Sequence, residues 1–90
     1  SCILMAPLAL GKEITTVEGL PEDDPVMAAF DRNHAFQCGY CIPGTVLTAR
    51  EMVSSGRACT REQIREGLGG NLCRCGCYAK IIDAVEEAAT

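Results

Sequence analysis

Two pairs of closely spaced cysteines are the residues of this chain best suited to chemistry. Cys38 and Cys41 are separated by two residues, Cys73 and Cys75 by one, and residues 42–72 lie between the pairs. Four thiolates brought together would form an all-sulfur ligand shell, which is typical of zinc or of an iron–sulfur cluster. The spacing alone leaves both metals open, because zinc ribbons usually carry Cys-x2-Cys twice and the second pair here is Cys-x-Cys.

Other uses of these thiols fit the sequence less well. Buried structural thiols rarely occur as two such pairs. An exchange dithiol at Cys38 and Cys41 is typical of a βαβ setting, and no such pattern surrounds them. A zinc site of three cysteines and His34, the only histidine, is a further arrangement, but a solvated loop histidine is the simpler interpretation.

Length, charge and composition restrict the class of protein. A chain of 90 residues forms one domain at most, and its small core predicts a stabilising metal or disulfide. A net charge of −4 and only four aromatic residues disfavour nucleic-acid binding. The apolar residues 1–10 lack a basic start and are too short to span a membrane, so we expect a cytoplasmic piece of a longer protein.

Four helices are predicted to position the cysteine pairs. Asp23 or Asp24 before Pro25 is typical of a helix start, Thr60 with Gln63 matches a capping box, and a glycine should end the second helix. Apolar periodicity places the helices at about 25–33, 43–54, 60–68 and 78–88. In the second helix, the inner face is expected to comprise Val46, Leu47, the stem of Arg50 and Val53. Each cysteine pair then lies just before a helix start, where unpaired N–H groups favour thiolate.

The first twenty residues predict a short β segment. Residues 2–10 are apolar, residues 14–18 are rich in β-branched side chains, and Gly11-Lys12 between them is typical of a turn. Two short strands are unstable alone in water, so we expect this segment to pack against a further part of the protein or against a partner. The predicted fold class is therefore mainly α, with a four-helix domain at 21–90 and a short N-terminal β segment at 1–20.

The residues around the cysteines resemble the iron–sulfur domain of the molybdenum hydroxylases, the family of xanthine oxidase, aldehyde oxidase and carbon monoxide dehydrogenase. The matching segments are 36–44, 70–78 and 80–85, and residues 14–20 resemble the segment that joins the family's two [2Fe–2S] domains. The resemblance covers nearly the whole chain. It implies a C-terminal four-helix [2Fe–2S]-binding domain, preceded at 1–20 by the remnant of a plant-ferredoxin-like domain.

The resemblance also implies roles for individual residues. It makes Gln37 a hydrogen-bonding contact to the pterin of a molybdenum cofactor and places Cys75 beside that pterin. Cys2 matches the last ligand of the second [2Fe–2S] cluster, whose other ligands are absent here, so we expect one cluster on this chain. A second cluster is expected only where the ferredoxin-like domain is present. The ligands of the helical-domain cluster would be Cys38, Cys41, Cys73 and Cys75.

Three residues near the motifs have weaker assignments. Between Cys75 and Tyr78 the family usually has Thr-Gly where this chain has Gly76-Cys77. We favour a spare thiol at Cys77 over an alternative ligand because Cys73 and Cys75 already complete the shell. Cys59 matches no motif and is expected to be a free thiol that binds no metal. Arg74 should shift the reduction potential of an adjacent cluster modestly, since nearby charge does so.

The function implied by the resemblance is electron transfer within an oxidoreductase. Electrons would pass from the molybdenum centre of a large molybdopterin-binding subunit through this cluster and a second cluster to an FAD-binding medium subunit. The chain itself would contribute no substrate-binding catalytic residues. The alternative from the residues alone is a zinc-stabilised structural or interaction module.

Overall fold

Four α-helices make up most of the structure, a computed structural model that describes residues 3–58 and 60–89. The mainly α prediction is confirmed, and each helix starts within one residue of its predicted position. α1 packs most extensively against α4, and α2 contacts each of the other three helices. Their bounds are Pro25–Arg32 for α1, Ile42–Ser54 for α2, Arg61–Gly67 for α3 and Tyr78–Ala89 for α4.

Asp24 determines where α1 begins and how it meets α2. Of the two candidate caps it is Asp24 whose carboxylate accepts hydrogen bonds from the N–H groups of Val26 at 3.0 Å and Met27 at 3.3 Å. The other carboxylate oxygen accepts a hydrogen bond from Nε of Arg50 on α2 at 2.6 Å. The buried side chain of Asp24 thus caps α1 and also joins α1 to α2.

Residues in the left-handed region end α1 and α2 in the same way. After α1, His34 has a φ of 50°, and Ala35 donates its N–H to the Phe30 carbonyl at 3.0 Å, as in a Schellman motif. Gly56, with a φ of 77°, takes the equivalent position after α2, as predicted. His34 therefore has a backbone role where glycine is usual. The predicted capping box of Thr60 and Gln63 opens α3.

The buried face of α2 differs from the predicted one by about one residue. Arg50 turns away from the core towards Asp24, and Met52 takes the inner position instead. Met52 packs against α3 where Gly67 leaves room, because a Cβ at Gly67 would lie 2.3 Å from Cε of Met52. The observed face consists of Thr45, Val46, Ala49 and Met52.

The core lies between the four helices and consists of small and medium-sized side chains. α4 buries Ile81, Ala84 and Val85 against α1 and α3, whereas Ile82, which apolar periodicity also predicts to face inward, is only partly buried. No helix in residues 3–58 and 60–89 is long and apolar enough to cross a membrane. The other buried apolar residues are Val26, Ala29, Phe30, Ala35, Val46, Ala49, Met52, Ala58, Ile64, Leu68 and Cys77.

The predicted N-terminal strands are wrong. Within residues 3–20 the structure has no strand and instead has two short 3-10 turns, at Ala6–Ala9 and Val17–Gly19. A strand without a neighbour leaves its backbone groups unpaired, whereas a turn satisfies some of them locally, as Leu10 N–H does with Pro7 carbonyl at 3.2 Å. The large apolar side chains of this segment are exposed: Ile3, Leu4, Met5, Leu8, Leu10 and Ile14.

Candidate metal centre

Two loops bring the cysteine pairs together. The loop at 33–41 joins α1 to α2, and the loop at 68–77 joins α3 to α4. They meet around a cavity of about 330 Å³. Its lining consists of Cys38, Tyr40 and Cys41 from the first loop, and Leu72, Cys73, Arg74 and Tyr78 from the second loop and α4.

Helix starts hold both loops in place, as the sequence predicted. Cys41 is the residue before α2, and its carbonyl accepts hydrogen bonds from the N–H and the hydroxyl of Thr45, at 3.1 and 2.9 Å. The carbonyl of Cys77 accepts the N–H of Ile81 at 3.0 Å at the start of α4. The first turn of α2 also lies close to the second loop: a Cβ added at Gly44 would be 3.6 Å from the Asn71 side-chain nitrogen.

Cys73 is the thiol best prepared to carry negative charge. Its pKa is lowered to about 7, chiefly because the backbone N–H of Cys77 hydrogen-bonds its sulfur. The thiol of Cys41 and the N–H groups of Cys75 and Gly76 add further hydrogen bonds, while partial burial opposes them. Backbone donors at a helix start thus favour a thiolate, the form that binds metal.

The neighbouring thiols are donors to Cys73. Burial raises the pKa of Cys41, and the hydrogen bond of its thiol to Cys73 raises it further. Burial likewise raises the pKa of Cys77, whose thiol also hydrogen-bonds Cys73. Cys38 is exposed, and its sulfur accepts the N–H of Tyr40 at 3.5 Å. Negative charge is therefore favoured first at Cys73, with two protonated sulfurs beside it.

Three of the four predicted ligands line the cavity, and the fourth does not. Cys38, Cys41 and Cys73 border it, whereas Cys75 does not, although Cys75 and Cys73 are both partly buried against the core. Within residues 3–58 and 60–89, no three histidine, cysteine or acidic side chains form a ready ligand set for a metal ion. The assignment of Cys75 therefore stays a prediction. Cys2 and Cys59 lie outside the described residues.

Gln37 lies beside a second, smaller cavity. It is exposed and borders a space of about 170 Å³ together with Gly76 and Cys77, the residues that follow Cys75. His34 lines this space and not the cysteine cavity, so the structure does not bring it to the other three candidate zinc ligands. Cys77, the predicted spare thiol, is buried in the core at 6% exposure.

Sequence analysis missed the part played by Tyr78. The hydroxyl oxygen of Tyr78 accepts the backbone N–H of Cys73 at 2.7 Å, and its side chain lines the cysteine cavity. The sequence signals were its position three residues after the second pair and its place at the end of the matching segment 70–78, and neither gives the direction of its side chain. Tyr78 therefore fixes the backbone of the most acidic thiol.

The chemistry of the site fits an iron–sulfur cluster held by thiolates. The cavity is lined by three sulfurs, and the backbone N–H groups that surround Cys73 are the donors that stabilise anionic sulfur. Each loop contains a glycine in the left-handed region: Gly39 has a φ of 80° and Gly76 a φ of 73°, angles that other residues rarely adopt. Cys75 lies one residue from Gly76 in the same loop as Cys73.

Comparison with known proteins gives the family of this domain. Residues 16–86 match a family described as "[2Fe-2S] binding domain". The nicotine 6-hydroxylase small subunit of Paenarthrobacter nicotinovorans is 41% identical over 98% of the chain, and the aldehyde oxidoreductase iron-sulfur-binding subunit PaoA of Escherichia coli K12 is 37% identical over 99%. The chain spans about half the length of these curated relatives, 54% of the first and 47% of the second.

A solved structure has the same fold. The chain matches the crystal structure of quinoline 2-oxidoreductase from Pseudomonas putida 86 with a TM-score of 0.87 and 42% identity, over 99% of this chain and 57% of that chain. A xanthine dehydrogenase iron-sulfur-binding subunit of Escherichia coli O157:H7 and an aldehyde oxidase of Cavia porcellus are also similar, at 40% and 38% identity. These are enzymes of the kind that the sequence resembles, so the resemblance is confirmed.

Proposed function

Because the chain belongs to the [2Fe–2S]-binding domain family, we propose that it carries electrons as the iron–sulfur component of a molybdenum-dependent hydroxylase. When bound, the cluster supplies a one-electron redox couple. The observation that carries the proposal is the cavity where Cys38 and Cys41 meet Cys73, with backbone N–H groups directed at Cys73. The chain contributes electron transfer and no substrate chemistry.

The proposed ligands are the four cysteines of the two pairs. Cys38, Cys41 and Cys73 border the cavity, and hydrogen bonds from backbone N–H groups lower the pKa of Cys73. Cys75 is the proposed fourth ligand because the family resemblance implies it and a four-sulfur shell needs a second thiolate from this loop. Cys77, whose thiol also hydrogen-bonds Cys73, is buried in the core and is the proposed spare thiol. A cluster bound by cysteines from 38 to 75 would cross-link two distant parts of the chain, so cluster binding should also stabilise the helical bundle.

The proposed partners are a large molybdopterin-binding subunit and an FAD-binding medium subunit. Several relatives are named as small or iron-sulfur-binding subunits, which supports assembly with other chains. Gln37 is the proposed contact to the pterin, since its exposed amide borders the space beside Gly76 and Cys77. Cys75 would lie on the electron path at the same surface.

Two further points belong to the proposal. Residues 1–20 are the proposed end of a ferredoxin-like domain with Cys2 as the last ligand of a second cluster, which fits relatives of about twice the length. The four cysteines of the two pairs supply one four-sulfur shell, so residues 21–90 should hold one cluster. The proposed location is the cytoplasm, which cell fractionation would test.

Metal analysis of the purified protein tests the proposal against the zinc alternative. We expect a red-brown protein with about two irons and two sulfides per chain and visible absorption that dithionite bleaches. A colourless protein with about one zinc per chain would overturn the proposal in favour of a zinc-stabilised module. About four irons per chain would show a second cluster and contradict the expectation of one.

A further inference from the structure

Tyr78 links the backbone of Cys73 to the space in which the thiols meet. It is the first residue of α4, and its hydroxyl oxygen accepts the Cys73 N–H at 2.7 Å. Its side chain is 43% exposed and borders both the cysteine cavity and an adjoining cavity of about 400 Å³. Tyr78 is therefore held at one end by α4 and at the other by the loop that it contacts.

The hydroxyl proton of Tyr78 has no acceptor among the residues that the structure describes. A tyrosine hydroxyl donates one hydrogen bond and accepts others, and the Cys73 N–H occupies the oxygen as acceptor. Within residues 3–58 and 60–89 the hydroxyl makes no other hydrogen bond. The donor side of this hydroxyl is thus available at the edge of the cysteine cavity.

The side chains around the cavity narrow the choice of acceptor. Arg74 is a donor only, and Tyr40 is 93% exposed. Leu72 is apolar, so the side-chain acceptors that remain are the sulfurs of Cys38, Cys41 and Cys73. Within the cysteine cavity a sulfur is therefore the side-chain acceptor for the Tyr78 proton, while the adjoining cavity offers Thr45 and Asn71, and water is the third alternative.

We propose that Tyr78 is a positioning residue of the cluster site, which holds Cys73 through its oxygen and donates its O–H to a sulfur of the bound cluster. This inference rests on the proposed function. Reduction adds negative charge to the sulfurs, and a donor stabilises charged sulfur, so the O–H should favour the reduced state. The hydroxyl should therefore raise the reduction potential.

Tyr78→Phe and Tyr40→Phe form a matched pair of variants. Both remove one hydroxyl from the lining of the same cavity, but only Tyr78 hydrogen-bonds the Cys73 backbone. Spectroelectrochemical titration of the loaded protein should show a more negative reduction potential for Tyr78→Phe and an unchanged one for Tyr40→Phe. A purely structural role would lower the unfolding temperature of Tyr78→Phe and leave its potential unchanged.

A measurement on the unaltered protein supports the comparison of variants. Pulsed EPR of the reduced protein in H2O and D2O should detect several exchangeable protons coupled to the cluster; the coupling of the Tyr78 hydroxyl should be lost in Tyr78→Phe, whereas those of the backbone N–H groups near Cys73 should stay. Equal potentials in the parent and Tyr78→Phe, or an unchanged proton coupling, would overturn the inference alone. A parent protein that holds no iron would overturn the proposed function and this inference together.

Discussion

The two cysteine loops hold their sulfurs in different ways. In the loop at 33–41, Cys38 is exposed and its sulfur accepts one long hydrogen bond, from Tyr40 N–H at 3.5 Å. In the loop at 68–77, the sulfur of Cys73 receives hydrogen bonds from the N–H groups of the following residues, and Tyr78 fixes its backbone. The second loop thus supplies backbone donors for negative charge on its own Cys73, with help from Tyr78 and the Cys41 thiol, whereas the first loop depends on the helices at its two ends.

Support for the first loop comes from α1 and α2. The loop leaves α1 through His34 in the left-handed region and enters α2 at Cys41. The ion pair of Asp24 with Arg50 joins these two helices at 2.6 Å. Substitutions that weaken helix packing should therefore disturb the first loop more, and substitutions that change the loop backbone should disturb the second loop more.

The largest effect is expected when a proposed ligand cysteine is replaced by serine, and the loss of iron should be greater in the second loop than in the first. Cys73→Ser should weaken iron binding by about 100-fold or more and lower the unfolding temperature, because it removes the best stabilised thiolate. Cys38→Ser should keep more iron, since its sulfur has fewer organised donors. Iron content and visible absorption measure both. Equal loss in the two variants would remove the distinction between the loops, and intact electron transfer in Cys73→Ser would refute the ligand set.

A smaller effect is expected for the support of the first loop. Asp24→Ala removes a helix cap and a buried partner of Arg50, and it should lower the free energy of unfolding by about 2–3 kcal/mol. The side chain of Arg50 is 43% exposed, so solvent reduces the cost of leaving it unpaired. Urea denaturation measures the change.

Asp23→Ala is the matched control for Asp24→Ala. Asp23 is exposed and neighbours the cap without forming it, so its replacement should change the unfolding free energy by less than about 0.5 kcal/mol. Similar losses in the two variants would show that the cap and the ion pair do not account for the stability of α1.

A still smaller effect is expected for the glycines of the two loops. Gly39→Ala and Gly76→Ala each force alanine into a φ near 80° or 73°, at about 1 kcal/mol, because open space surrounds both positions. In Gly76→Ala the strained backbone should displace the N–H that hydrogen-bonds the sulfur of Cys73, so the EPR spectrum should change. Gly39→Ala should leave the EPR spectrum unchanged. Gly70→Ala, in open space without a left-handed φ, is the control. Identical EPR changes would contradict the difference between the loops.

The smallest effect is expected for Cys77→Thr. The buried thiol is replaced by a hydroxyl of similar size at the residue before α4, where threonine is favoured as a helix cap. Iron content should stay the same, and the unfolding free energy should change by less than about 1 kcal/mol. Loss of iron in this variant would make Cys77 a ligand and Cys75 the spare thiol.

Local chemistry explains what could be predicted from the sequence. The cap at Asp24, the capping box at Thr60 and the glycine at Gly56 depend on a few neighbouring residues, and each ends or begins a helix as expected. The spacing of the cysteines likewise placed both pairs before helix starts. These features need no knowledge of distant contacts.

Tertiary contacts explain what could not be predicted. Arg50 leaves the expected inner face of α2 because Asp24, 26 residues away in sequence, is buried against it. The bond from Cys73 N–H to Tyr78 and the position of Cys75 outside the cavity likewise depend on how the second loop folds. The β-branched pattern at 14–18 predicted a strand, but a strand needs a neighbour to pair with.

The most direct test of the central claim is the spin count of the reduced protein by EPR. One cluster held by the two loops predicts about one unpaired electron per chain after dithionite reduction, with a signal that disappears on reoxidation. A protein that contains iron but gives no such signal, or that gives about two spins per chain, would contradict a single [2Fe–2S] cluster at this site.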